Sequence, residues 1–206
     1  MITTVITSYN KGPYLADAIR SALDQDYASH EVIVVDDGST DDTCEVAKAF
    51  GDRIRYVRQP NRGQAHARNR GTREARGQFV AFLDGDDRWR PGKLSAQIAL
   101  FGNNHRLGVV YADCVALRDG RATGLSRGET RGLYRGNVLD RLLVDNVVPF
   151  SSTLVRREYL LDVGMFDESV RVADDYDLWL RMARKYEFDY VDEVFLEYRL
   201  GIDSIG

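Results

Sequence analysis

Between residues 3 and 84, short runs of β-branched and aromatic residues alternate with stretches of helical period, and nothing else in this 206-residue chain narrows the fold as much. "TTVIT" (3–7), "EVIVVD" (31–36), "IRYVRQ" (54–59) and "QFVAFLD" (78–84) have the length and composition of strands. Between them, "PYLADAIRSALDQ" from Pro13, "DDTCEVAKAFG" from Asp41 and "GQAHARNRGTREARG" from Gly63 read as helices. Pro13 suits a first helical turn, Thr40 or Asp41 a cap, and Gly51 and Gly77 the C-terminal stops. Strand, helix and strand repeated three times predicts an α/β fold built on a mostly parallel, doubly wound sheet.

After residue 90 the pattern loosens. "PGKLSAQIALFG" from Pro91 predicts a fourth helix and "GVVYADCVAL" a strand, followed by a glycine-rich stretch over 113–150 that ends in a helical piece, "GNVLDRLLVD". The final third predicts a strand, a short helix, a loop, a strong helix from Asp174 to Lys185 and two closing strands. No repeat or linker interrupts the chain, so a single domain over 1–206 is expected, regular up to about 112 and irregular from 113 to 206.

Composition excludes several functions. A net charge of −4 gives no basic field for nucleic acid. Cys44 and Cys114 form no CxxC or Cys/His cluster, which predicts buried thiols in a reducing compartment. His30, His66 and His105 match no ligand spacing and are expected on the surface or in loops. The N-terminus lacks a basic leader and no apolar run approaches ~18 residues, so the expectation is a soluble, cytoplasmic chain.

Open α/β sheets bind ligands outside the carboxyl ends of their strands, and those ends are polar here: Thr7-Ser8-Tyr9-Asn10, Asp36-Asp37-Gly38-Ser39 and Asp84-Gly85-Asp86-Asp87. Any one of these loops could be turn and capping chemistry alone; three on one sheet edge point to a ligand. Three carboxylates within four positions disfavour one another's ionisation unless a cation, a basic partner or water intervenes. The hard oxygens of Asp84 and Asp86 suit Mg²⁺ or Mn²⁺ shared with a diphosphate, Gly85 would let ligand or metal approach the backbone, and Asp87 is expected to cap the helix at Pro91.

"VITSYNKGPYLADAIRSALDQDY", "EVIVVDDGSTDDT", "NRGQAHARNRGTREARGQFVAFLDGDD" and "ADDYDLWLRMA" resemble, in order and spacing, the family 2 glycosyltransferases of the Rossmann-like GT-A fold, over Ile2 to about Arg199. The resemblance implies a nucleotide-sugar-binding half over 1–112 and an acceptor and catalytic-base half over 113–206. Thr7 and Tyr9 would line the nucleobase pocket, Asp37 would accept the base's ring N–H, and Asp36 would hold the loop. Asp84 and Asp86 would form the metal motif, with Asp86 the direct ligand and Asp84 nearer the ribose. Gly63 and Arg68 would lie along the sugar nucleotide, Arg68 pairing with the diphosphate or the acidic loop. Asp175 matches the family's catalytic base, while Asp174 and Asp177 suit a helix N-terminus. Ser151, Ser152, Asp174 and Trp89 are acceptor-side candidates, and Trp179 is expected in the core.

The implied activity is inverting, metal-dependent transfer from a nucleotide-diphosphate sugar, a UDP-sugar by preference, to a glycan or lipid-linked acceptor in surface polysaccharide synthesis, at the inner face of the cell membrane where the acceptor is lipid-borne. The late His many members carry after "YR" is missing from "EYRLGIDSIG". This departure keeps open a sugar-nucleotide-binding module without turnover, and the α/β sheet edge with its acid cluster keeps open a second alternative, a nucleotidyltransferase or phosphoacceptor domain. The first loop, "TSYNKG", suits that second alternative poorly.

Overall fold

The computed structural model describes residues 1–118 and 120–200. The first half follows the predicted alternation: β1 (Ile2–Ser8), α1 (Gly12–Leu23), β2 (His30–Asp36), α2 (Thr43–Lys48), β3 (Arg55–Arg58), α3 (Gln64–Glu74) and β4 (Phe79–Asp84). A two-residue strand β5 (Arg88–Trp89) and helix α4 (Lys93–Phe101) come next. Strand β6 (Leu107–Arg118) turns back on β7 (Arg121–Ala122), and two short helices follow, α5 (Arg127–Arg131) and α6 (Leu139–Leu142). The chain continues through β8 (Leu154–Arg156), α7 (Arg157–Asp162), α8 (Asp174–Ala183) and β9 (Glu187–Arg199).

Among the described residues nine strands form one mixed sheet in the order β3-β2-β1-β4-β8-β6-β9-β5, with β7 on β6. β1, β2, β3 and β4 are mutually parallel; β8 then inserts antiparallel between β4 and β6, and β9 runs parallel to β6. The expected division near residue 112 therefore falls inside β6, and one sheet runs through both halves.

Alternation along each strand builds two cores, one per face. Ile6, Val32, Val34, Ala81 and Leu83 meet α1 and α4 through Leu15, Ile19 and Leu94. Val5, Ile33, Val35, Val80 and Phe82 meet α3 and α8 through Ala67, Leu178, Trp179 and Met182. Successive strand side chains point to opposite faces, so apolar runs covered on both sides are what this sheet requires. Trp179 is fully buried, as expected.

Three elements differ from expectation. The two closing strands are one 13-residue strand whose register against β6 shifts around Ala112, Asp113 and Cys114, so a bulge rather than a turn breaks the pattern. The helix expected over 136–145 is only Leu139–Leu142. Helix α5 was not anticipated, although Ser126 and Glu129 form a capping box at its start, the S-x-x-E signal.

Candidate active site

Strand register brings the polar ends together: Ser8 lies opposite Asp36 and Thr7 opposite Asp84, in one row along the sheet edge. Asp36 is fully buried and holds its loop, accepting the Ser39 N–H at 2.8 Å and the Tyr56 hydroxyl at 2.5 Å. Asp37, also buried, accepts the Gln59 carboxamide at 2.7 Å and the N–H groups of Arg62 and Gly63 at 3.0 and 2.8 Å. Its carboxylate thus ties the loop before α3, where Gly63 has φ +92, a conformation that L side chains rarely adopt. Gln59 Oε1, in the same cluster, is a buried acceptor without a partner. A groove of about 530 Å³ opens beside it, lined by Gln59, Arg62, His66 and Arg70 among others. Tyr9 lies half-buried just past the end of β1.

The loop after β4 divides its three carboxylates. Asp84 accepts from Thr7 Oγ1 at 3.2 Å, Gln64 Nε2 at 3.2 Å and Arg68 Nη2 at 3.1 Å, and its N–H donates to Ser151 Oγ at 3.1 Å. Asp86 is partly open and pairs with Lys11 Nζ at 2.9 Å. Asp87 does not cap the following helix, whose N-cap, Gly92, makes no side-chain cap bond; it is buried and accepts the Arg199 N–H from β9 at 3.2 Å. Burial, with Asp84 and Asp86 adding to it, pushes the Asp87 carboxyl well above the usual carboxylate range. The absent side chain of Gly85 also serves the protein itself: a Cβ there would stand 3.0 Å from Ser8 Oγ and 3.1 Å from the Thr7 carbonyl.

Arg68 joins this loop to the second acid group. Rooted in α3 and 3% exposed, it grips both oxygens of Asp174 through Nη1 at 2.8 and 2.9 Å while Nη2 reaches Asp84. The Phe150 ring centre lies 3.5 Å from its guanidinium carbon, a cation–π contact inside the protein. Burial opposes the arginine's charge, but Asp84 and Asp174 outweigh it and its pKa is raised. Asp174 is likewise pushed up by burial and drawn back by Arg68.

Asp174 opens α8 after Ala173, which adopts φ +58, left-handed for a residue that has a Cβ. Asp175, the next residue, is half-buried and accepts the Asn146 carboxamide at 3.0 Å. Asp177 turns away to pair with Arg181 at 2.7 Å.

Several expectations are corrected by this geometry. Asp174 is buried under Arg68, leaving it unable to meet an acceptor. Of the two partners expected for Arg68, the acidic loop is the one it meets, through Asp84. Ser151 and Ser152 are 3% and 0% exposed and bonded to backbone, Ser152 Oγ donating to the Pro149 carbonyl at 2.7 Å. Trp89 is 4% exposed, with its indole N–H on the Ser151 carbonyl at 2.6 Å and Lys93 Nζ 3.9 Å from its ring centre, so it packs instead of stacking on sugar. His30 stands on β2 and bonds Thr4 Oγ1 at 2.7 Å, whereas His66 is half-buried on α3 and His105 exposed in a loop. Cys114 is buried as expected, and Cys44 only partly.

Reading the sequence alone passed over Lys11, Gln59, Gln64 and Asn146. Lys11 and Gln64 lie inside quoted motifs, at the starts of α1 and α3, where a polar residue facing the sheet edge is the available signal; Asn146 carries none. Residues 201–206, where the late His is missing, lie outside the described residues.

The model of glycosyl transferase family 2 matches residues 3–164. The chain belongs to that family. Among its relatives, the uncharacterized glycosyltransferase RP339 of Rickettsia prowazekii is 30% identical over 203 residues, covering 97% of this chain and 64% of the relative. The succinoglycan biosynthesis protein ExoU of Rhizobium meliloti is 32% identical over 197 residues, covering 87% of this chain and 56% of ExoU. This family 2 chain thus spans under two thirds of either relative. Its fold is GT-A: S. aureus TarS 1–349 in complex with UDP superposes with a TM-score of 0.78 at 20% identity, over 97% of this chain and 60% of that one. The Pyrobaculum calidifontis mannosyltransferase PcManGT in complex with GDP-Man and Mn²⁺ gives 0.71 at 22% identity, over all of this chain and 58% of that one.

Proposed function

We propose that the protein is an inverting glycosyltransferase that moves a sugar from a nucleotide-diphosphate donor, a UDP-sugar, to a hydroxyl of a glycan or lipid-linked acceptor in polysaccharide synthesis. The observation that carries this reading is Arg68, which holds Asp84 and Asp174 on one guanidinium and so sets the loop of Asp86 beside the helix start bearing Asp175. The UDP in TarS, the GDP-Man and Mn²⁺ in PcManGT and the succinoglycan role in ExoU's name support the donor, metal and product classes respectively.

Asp175 is the base. It takes the proton from the acceptor hydroxyl as that oxygen attacks the anomeric carbon from the face opposite the leaving nucleoside diphosphate, and one displacement inverts the centre. Asn146 orients the Asp175 carboxylate, and Arg68 neutralises its neighbour Asp174 so that Asp175 is not crowded by an uncompensated charge. Asp37 and Gln59 supply acceptors for the ring N–H of the base, a contact that discriminates because losing it strands a buried polar group.

The residues fit a divalent cation of the kind that takes one or two carboxylates and completes its shell with phosphate and water. Among the described residues no three His, Cys, Asp or Glu side chains enclose an ion, but Asp86 is partly open and already faces a cation, Lys11. Asp86, with Asp84, would hold Mg²⁺ or Mn²⁺, which when bound would neutralise charge on the diphosphate.

Calorimetry with UDP, GDP and dTDP, with and without Mn²⁺, on the intact chain and on Asp86→Ala tests the donor site. UDP binding that needs both Mn²⁺ and Asp86 is expected; absence of nucleotide binding would refute the reading. Asp175→Asn is expected to keep donor binding and lower turnover roughly 10²-fold or more, and unchanged turnover would remove Asp175 as the base.

A further inference from the structure

Lys93 is fully buried without an ion pair among the described residues, and burial lowers its pKa well below the usual lysine range. A methionine or leucine would fill the same space without that cost. Its neighbours show what the amino group does instead. Lys93 Nζ donates to Gln97 Oε1 at 2.7 Å, lies 3.9 Å from the Trp89 ring centre and reaches the Thr153 carbonyl at 3.5 Å. Gln97, equally buried and on the same face of α4, donates from Nε2 to the Ser152 carbonyl at 2.8 Å and to the Val110 carbonyl at 3.1 Å. The Trp89 indole N–H holds the Ser151 carbonyl at 2.6 Å. Three buried side chains that follow the acidic loop, at 89, 93 and 97, therefore meet the consecutive carbonyls of Ser151, Ser152 and Thr153.

The turn they hold, Phe150–Ser152, carries two contacts into the candidate site. Ser151 Oγ accepts the Asp84 N–H at 3.1 Å, and the Phe150 ring centre lies 3.5 Å from the Arg68 guanidinium carbon. A single 3-10 turn makes few bonds of its own, so outside partners set where it lies. Its carbonyls are tied toward α4 and its side chains toward Asp84 and Arg68, the two residues through which the acidic loop is joined to α8.

We infer that Trp89, Lys93 and Gln97 are positioning residues that fix the turn Phe150–Ser152, so that Ser151 holds the Asp84 backbone and Phe150 the Arg68 guanidinium where donor and metal bind. That role deepens the transferase reading and rests on it for the ligand.

The test pairs amide hydrogen exchange, read residue by residue by NMR, with calorimetry of UDP in the presence of Mn²⁺. Trp89→Phe keeps a ring but drops the indole N–H, and Lys93→Met keeps the side-chain length but drops the amine. Phe101→Leu, further along α4 and buried, controls for lost stability. In Trp89→Phe and Lys93→Met the Asp84 amide should exchange roughly tenfold faster relative to the Phe82 amide, the scale of one hydrogen bond, and UDP affinity should fall roughly tenfold. Phe101→Leu should speed both amides alike and leave the affinity unchanged. Asp84 exchange that follows Phe82 in both variants, parental UDP affinity in both, or loss of the fold in both would overturn the inference, the last by assigning the buried polar set to stability alone. A response in Trp89→Phe only would remove Lys93 from the set. If the parent binds no nucleotide diphosphate, the transferase reading falls, and Asp84 exchange alone then decides whether these residues position the loop.

Discussion

Arg68 Nη1 lies 2.8 and 2.9 Å from the two carboxylate oxygens of Asp174, a residue 106 positions later in the chain, and both side chains are buried. The pair fastens α3 to the start of α8, and the guanidinium's other nitrogen fastens both to Asp84. Breaking a buried pair from one side leaves a charge without compensation, which costs more than the pair contributes.

Arg68→Ala should therefore lower unfolding free energy by about 3–5 kcal/mol, read by urea denaturation. Arg68→Ala combined with Asp174→Asn should recover a large part of that loss, because no uncompensated carboxylate remains at position 174. A double variant as unstable as Arg68→Ala would show that the arginine acts through Asp84 or Phe150 instead.

Asn146→Ala should lower turnover roughly tenfold, the scale of one hydrogen bond to a charged group, without changing the affinity for UDP. Steady-state kinetics beside calorimetry separates the two, and weakened UDP binding would place Asn146 on the donor side.

His30 is held neutral: burial, with Lys93 adding to it, lowers its pKa from 6.5 to about 4. The unfolded chain binds this proton at higher pH than the folded one, so stability is full above about 6.5 and is lost as pH falls toward 4. His30→Gln should flatten the slope of Tm against pH in that window. An unchanged slope would mean that the folded chain protonates His30 without penalty.

Ala173 at φ +58 stores backbone strain at the entrance to α8. Ala173→Gly should raise stability by about 1 kcal/mol, measured by thermal denaturation, with turnover held or reduced as the turn before Asp175 loosens.

The parts of the fold legible in the sequence are those with a local cause. Val32 to Val35 and Val80 to Leu83 read as strands because they are buried on both faces, and the ends Asp36 and Asp84 read as a site because parallel strands end on one edge. What escaped has its cause far away in the chain. Trp89 and Ser151 read as acceptor-side residues, yet the Trp89 indole reaches the Ser151 carbonyl across 62 positions and the Ser151 hydroxyl accepts the Asp84 N–H across 67. Asp87 resembled a cap because Pro91 follows it, but its partner is Arg199, 112 residues on. Lys11 on Asp86 depends on how the turn after β1 lies over the β4 loop, which no spacing records.

The sheet order also has a consequence for synthesis. β4 ends at residue 84, but the strand that covers its open side, β8, begins at 154. On a ribosome adding about 5–20 residues per second, some 4–14 s separate the two. During that interval β4 carries an uncovered row of N–H and C=O groups beside apolar side chains, the kind of edge that recruits other chains. The nascent first half would thus be most open to aggregation before β8 emerges, and a fragment ending near residue 112 would keep that exposure permanently.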